Sequence, residues 1–295
     1  MAKIHIMALR HSAFYTPFLM TMAGGYLRKQ GLEPVYSVLT PDRTVVDEMR
    51  AGRCDLSQSA VATSFAKLEQ GIPPDIVHFA QINARDGFFI AARDADANFD
   101  WQQLRGRSVL VDHFFQPHAM LRYALHLKGM SLDELNVIDA GDVNSIETAF
   151  REGQGDYVHM QGPAPQQMEA ENVAQVVASV GEVIGPVAFS SLCCRREWLE
   201  TDMAQVFLDC YRQAMHEVCS SDAESIAAKL QAYGFLADIK PEVLAATIRA
   251  YQQLGCWEDS ITISPTSFER CLDVFEFAGV IHRRYEYDSV IVPCA

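Results

Sequence analysis

The chain has no CxxC pair and no cysteine–histidine spacing that suits zinc, so neither a structural zinc site nor a dithiol redox motif is expected. Nor does any stretch approach the roughly 18 uninterrupted apolar residues of a membrane-spanning helix. Positive charge is scarce. Lys and Arg number 24 against 38 Asp and Glu, a formal net charge of −14. That balance excludes a nucleic-acid partner, which needs basic surface, and disfavours docking on anionic membranes. It leaves room for an anionic small ligand, because a cleft sets its own local field. The N-terminus lacks a basic region, a hydrophobic run and a cleavage site, and a strand pattern already begins at Ile4. The expectation is a cytoplasmic protein, or a periplasmic one whose leader has been removed. Eight scattered cysteines, mostly inside apolar patterns, suit a reducing compartment.

What is present is ordinary globular material: 295 residues, 49% hydrophobic and 21% charged. That length accommodates about two domains with respectable cores. The organising stretch is the first forty residues. Residues 3–9 alternate as a strand, 10–18 turn into a helix that runs to about Lys29, and 34–39 form a second strand. This is a βαβ unit, and ligands of open α/β sheets bind at the carboxyl edge of the strands. His11, Ser12, Phe14 and Tyr15 therefore fall on a binding face. The competing reading makes Phe14 and Tyr15 core residues at the helix entry.

The same strand–loop–helix step recurs. A short strand at 54–57 leads to Ser59 and Ala60 before a helix at 61–68. There Ser59 either caps the helix or also faces a ligand. Residues 75–82 and 87–92 are apolar strands, and 94–100 is turn-like. Strand 108–111 leads into Asp112-His-Phe-Phe-Gln-Pro-His118, where Pro117 suits the first turn of a helix over 118–128. Asn144 to Glu147 has capping-box spacing. A strand at 156–160 ends in Gln161-Gly-Pro163, then come a helix to 171, a strand at 173–180, a loop at 181–185 and a strand at 187–193. From Glu197 the pattern is helical, near 202–219, 223–233, 241–254 and 267–278. The apolar tail from 285 is not placed by its pattern.

The order of these motifs resembles the type II periplasmic solute-binding proteins, in the branch of sulfonate, nitrate, taurine and formylaminopyrimidine binders. The resemblance rests on His11-Ser-Ala-Phe-Tyr-Thr-Pro-Phe18 with Ala23-Gly-Gly-Tyr-Leu-Arg-Lys-Gln-Gly-Leu-Glu-Pro34, on Met49-Arg-Ala-Gly-Arg-Cys-Asp-Leu56, on Leu104-Arg-Gly-Arg-Ser-Val-Leu110 and on Glu152-Gly-Gln-Gly-Asp-Tyr157. It implies an α/β fold of two lobes that close on a small ligand by a hinge, with a C-terminal helical segment. Residues 1–86 plus 193–295 would form lobe 1, and 87–192 an inserted lobe 2. It also implies membrane subunits of an ABC transporter as partners. Related synthases of the thiamine pyrimidine precursor carry a pyridoxal-phosphate lysine and a substrate histidine where this chain reads Ser59 and Thr63. That chemistry is therefore not expected, and neither is a cofactor.

The expected function is binding of a small, ring-bearing or anionic organic ligand in an interlobe cleft. The expected ligand residues are His11, Ser12, Phe14, Tyr15, Ser59, Ala60, His113, Phe114, Phe115, Gln116, His118, Gln161 and Gly162. No catalytic or metal-ligating residue is assigned. The alternative is a cytoplasmic enzyme on the same fold, desulfinase-like or thiamine-precursor-related, with Cys54 or Cys193 as the nucleophile to test. His126, eight residues beyond His118, is expected to lie away from the site, about 12 Å along the helix.

Overall fold

The computed structural model describes residues 1–94 and 98–294. Residues 95–97 of the expected 94–100 turn, and the last residue of the tail, lie outside the described residues. The chain divides into two compact units, Met1–Ala84 with Val187–Ala295, and Arg85–Pro186.

The strands in chain order are β1 (Ala2–Ala8), β2 (Leu32–Val38), β3 (Leu56–Ser59), β4 (Val77–Asn83), β5 (Phe88–Ala92), β6 (Ser108–Val111), β7 (Asn136–Ile138), β8 (Tyr157–Gln161), β9 (Gln175–Ser179) and β10 (Ser190–Cys194). Unit 1 holds a five-stranded sheet in the order β2-β1-β3-β10-β4. β1 runs parallel to β2 and β3, while β10 lies antiparallel between β3 and β4. Unit 2 holds a second five-stranded sheet, β7-β6-β8-β5-β9. There β6, β7 and β8 are parallel and β5 is antiparallel to both its neighbours.

The strand β10 moves an expected boundary. The resemblance places residues 187–192 in lobe 2, but Leu192 pairs with Gln58 and Ala80 inside the unit 1 sheet, and unit 2 ends at Pro186. Ser190–Cys194 is buried throughout.

Local chemistry explains the other departures. The first helix does not reach Lys29 unbroken. It runs Thr16–Ala23 and restarts at Tyr26–Lys29, because Gly25 takes φ 74°, outside helical space. The expected loop at 181–185 is a short helix, Val180–Ile184, whose cap is Ser179 accepting from the Glu182 amide at 3.3 Å. The helix expected to open at Asn144 is Val143–Arg151, capped by Asp142. The C-terminal helices Asp202–Ser220, Ala223–Tyr233, Pro241–Leu254 and Pro265–Phe277 follow the apolar spacing closely. The tail pairs with β4: the His78 amide donates to Val290 O, and the Val292 amide to His78 O, both at 2.9 Å. No helix among the described residues is long and apolar enough to cross a membrane.

In unit 1 the turn after β1 is tied to the sheet through Asn83. Its Nδ2 donates to Phe14 O at 2.7 Å, and its Oδ1 accepts from Ser190 Oγ. Asn83 is fully buried, so Asn83→Ala removes both bonds and leaves the Ser190 hydroxyl without that acceptor. A loss of about 1–3 kcal/mol in urea denaturation is expected. An unchanged midpoint would mean that this tie does not hold the turn.

Candidate functional site at the carboxyl edges

In unit 1 the edge is formed by the ends of β1, β2 and β3. Ser12 is 6% exposed, and its Oγ accepts from the Phe14 amide at 3.2 Å, which starts the turn Ala13–Tyr15. Phe14 itself is not on a binding face. It is fully buried against Tyr251 and Phe189, at ring separations of 4.8 and 5.4 Å, and its carbonyl accepts from Asn83 and Trp257. Burial also encloses Tyr15 and raises its hydroxyl pKa. The core reading of this aromatic pair is the one realised, because the helix entry turns inward immediately after Ser12. Ser59 is the last residue of β3 rather than a helix cap. It is buried, with its Oγ 3.2 Å from Thr63 Oγ1. Ala60 takes the cap position and is half-buried.

His11 is the residue of this group that keeps a partly open ring. Its Nδ1 lies 2.9 Å from Tyr36 Oη, and its ring is 5.4 Å from Phe235. Tyr36 and Phe235 are themselves 5.1 Å apart, nearly edge to face. Burial lowers the His11 pKa, with Asp238 opposing. Tyr36, Phe235 and Asp238 were not read from the sequence as site residues. Phe235 belongs to a turn between two helices read as packing. In that turn Leu236 takes φ 54°, uncommon for leucine and a mark of a backbone held by its surroundings.

In unit 2 the edge collects the ends of β6, β8 and β9 and the start of β5. The helix after β6 runs Phe115–Leu127, not from His118. Pro117 sits in its first turn, but at the third position, and the His118 amide is already paired with Phe114 O at 3.0 Å. Phe114 and Phe115 are 63% and 44% exposed, while Gln116 is buried. His113 and His118 face one another with ring centroids 5.0 Å apart. His113 Nδ1 is 3.7 Å from Asp139 Oδ1, too long for a hydrogen bond. Burial, then His113 and Arg122, lower the His118 pKa, with Asp112 opposing. Gln161 ends β8 half-buried, and Gly162 follows it, buried. His126 is exposed on the far part of the helix.

Three buried groups at this edge escaped the sequence reading. Asp112 directly follows β6, and its Oδ1 accepts from the Phe114 amide at 2.8 Å. Asp86 accepts from the Phe88 amide at 2.7 Å, and burial, reinforced by Asp112, pushes its pKa up to about 8. His159 lies within β8, fully buried, with its ring stacked 4.8 Å from that of Phe88. Burial, then His118 and His113, push its pKa down to about 3. The sequence does carry a trace of these groups: a polar side chain in an apolar strand, and an acid at a strand's carboxyl end. The pairing of β8 with β5, which sets what His159 faces, is not written in either segment.

Neither cysteine offers a reactive thiolate. Cys54 and Cys193 pack with Met7 and Met49, and burial raises the Cys54 thiol and pushes Cys193 up to about 12. Among the described residues no group of three or more His, Cys, Asp or Glu is placed to hold a metal ion. A cavity of about 490 Å³ in unit 1 is lined by residues that include Arg212, His216, Asp259 and Cys294, and by none of the expected site residues.

Comparison with known proteins agrees with this architecture. YtlA of Bacillus subtilis (strain 168), described as a candidate binding protein, is 24% identical over 296 residues, covering 99% of this chain and 88% of that protein. The periplasmic aliphatic sulphonate binding protein SsuA of Escherichia coli matches with a TM-score of 0.75 at 14% identity, covering 99% of this chain and 97% of that one. The periplasmic nitrate-binding protein NrtA of Synechocystis PCC 6803 matches at 0.59 and 15% identity, over 82% of this chain and 68% of that one. At these identities the structural matches establish the fold, that of the periplasmic binding proteins. The family profile described as "NMT1/THI5 like" matches residues 13–225, most of the sequence, and the chain belongs to that family.

Proposed function

We propose that this chain binds a small, ring-bearing organic ligand as the solute-binding component of an ABC-type import system, and returns it unchanged. The observation that carries the reading is the half-buried pair of His11 and Tyr36 at the carboxyl edge of unit 1, backed by the buried ring of Phe235. Flat side chains grouped at a strand edge suit a flat ligand, and such edges are where open α/β sheets take their ligands. The names of the relatives support a binding role, and those of SsuA and NrtA support periplasmic solute binding in particular. Catalysis is disfavoured by the buried thiols of Cys54 and Cys193, and by Ser59 and Thr63 at the positions that matter in the synthases. His11, Ser12, Ser59, Ala60, His113, Phe114, Phe115, Gln116, His118, Gln161 and Gly162 remain the proposed ligand residues. Phe14 and Tyr15 support them from the core.

A thermal-shift and equilibrium-dialysis panel of pyrimidines, aromatic amines, aromatic acids and sulfonates tests the reading, with sugars and inorganic ions as controls. A ring-bearing compound should stabilise the protein and be recovered intact. Stabilisation by sugars or inorganic ions alone would defeat the proposal, and recovery of an altered compound would make the chain an enzyme. With the compound that binds, His118→Ala should weaken affinity about tenfold or more while barely changing Tm. His126→Ala should leave both unchanged, and equal losses from the two variants would remove His118 from the site.

A further inference from the structure

Unit 2 keeps two polar side chains in an unusual condition. His159 is 0% exposed, and neither of its ring nitrogens has a hydrogen-bond partner among the described residues. Asp112 is 4% exposed, and its Oδ2 likewise has none. Buried polar atoms left in this way are few in native proteins, because each forfeits its bonds to water. They call for something that bonds to them.

The sheet sets their backbones side by side. Val111 is the β8-facing partner of His159, and Asp112 is the next residue of the chain. Ile90 flanks His159 from the other side. Val158 and Met160, its neighbours in β8, belong to the apolar cluster on the opposite face, with Leu110 and Phe150. His159 thus lies on the face away from that cluster. Phe88 covers one side of its ring. The half-buried rings of His113 and His118 stand nearer solvent, and both act electrostatically on His159.

Building on the binding role proposed above, we infer that this edge takes a cationic, N–H-donating nitrogen of the ligand, held by Asp112 Oδ2 and the His159 ring. The chemistry sets the sign. Burial keeps His159 neutral, so one ring nitrogen donates and the other accepts, and the ring brings no positive charge for an anion. An aspartate oxygen accepts hydrogen bonds and repels anions. Asp86 lies at the same edge, but with its pKa raised to about 8 by burial and by Asp112 it is mostly protonated at neutral pH, so the negative charge there is that of Asp112. A metal ion is a poor alternative, since no three potential ligands among the described residues are placed to hold one. Two cations oppose the assignment. Arg122 acts on His118, and Arg85 donates from Nη1 to Gly181 O at 3.5 Å while its Nε has no partner. They are the groups that would favour an acid instead.

Probes that share one ring and differ in sign decide between them: benzamidine and benzylamine against benzoate and benzenesulfonate, titrated by calorimetry and thermal shift into the full chain. The amidine or the amine should bind at least about tenfold more tightly than either acid. Asp112→Asn should weaken that probe about tenfold at an unchanged Tm, since the amide keeps the bond to Phe114 but loses the charge. His159→Phe should abolish the response while holding or raising Tm, because an apolar ring ends the cost of an unpartnered imidazole. If His159→Phe does not fold, Asp112→Asn still decides. Tighter binding of the acids would overturn the inference and leave the binding role standing. A Tm loss in His159→Phe at unchanged affinity would make that histidine structural and overturn it too. Silence from every probe of both signs would overturn the inference and leave the ring-bearing ligand to the wider panel above.

Discussion

Gly181→Ala is expected to destabilise unit 2 by roughly 3 kcal/mol or more, beyond the ordinary range for an added methyl group. A Cβ at this position would overlap the carbonyl oxygen of Asp86 and lie 3.1 Å from its carbonyl carbon. The obstacle is backbone, so no side chain can swing aside. The helix Val180–Ile184 would have to back away from the segment entering β5. That segment carries Asp86, one of the buried acids of the edge. Affinity should therefore fall together with stability, which separates this variant from Asp112→Asn. Urea denaturation combined with hydrogen exchange of unit 2 peptides measures it. Wild-type stability would mean that the short helix slides without cost.

Acid should weaken the two units unequally. His78 in unit 1 and His159 in unit 2 are both fully buried, and burial pushes each pKa down from 6.5 to about 3. For such a base the unfolded chain takes up the proton first, so stability falls as pH drops from 6.5 toward 3. By pH 5 each histidine should have lost about 2 kcal/mol. Asp86 works in the opposite direction. With its pKa raised from 3.8 to about 8, the folded state holds the proton longer than the unfolded one, so its contribution is lost as pH rises through that window. Between pH 7 and 5 the gain from Asp86 offsets the loss from His159, while His78 has no such counterweight in its unit. Hydrogen exchange at the two pH values should show unit 1 loosening by about 2 kcal/mol with unit 2 nearly constant. Asp86→Asn should make unit 2 acid-sensitive and more stable than the wild type at pH 8. Equal loosening of both units in the wild type would contradict this balance.

The parts of the fold that were legible were those governed by short-range periodicity. β1, β6 and the last four helices stand within a few residues of their apolar patterns, because burial there depends on one face of one element. Where a cap competes with a stronger-looking signal, the reading slipped. Pro117 marks a helix's first turn but fits any of its first positions, and Asp142, not Asn144, took the cap. The site was less legible for a different reason. The edge rule located the turns after β1, β3, β6 and β8, yet not which of their side chains turn inward. Phe14 was read as a wall and is core. His159 and Asp112 were passed over because their importance comes from strand pairing and from partners they lack, neither of which is local in sequence.

The placing of β10 has a consequence for how the protein is made. When the first 84 residues leave the ribosome, β3 and β4 have no strand to share between them, since that strand is Ser190–Cys194. Roughly a hundred residues must follow before it arrives, a delay on the order of 5–20 s at ordinary rates of synthesis. Unit 2 is continuous in sequence and can close during that interval. The nascent chain should therefore complete its second unit before its first, with the edges of β3 and β4 open to chaperones until the last central strand is delivered.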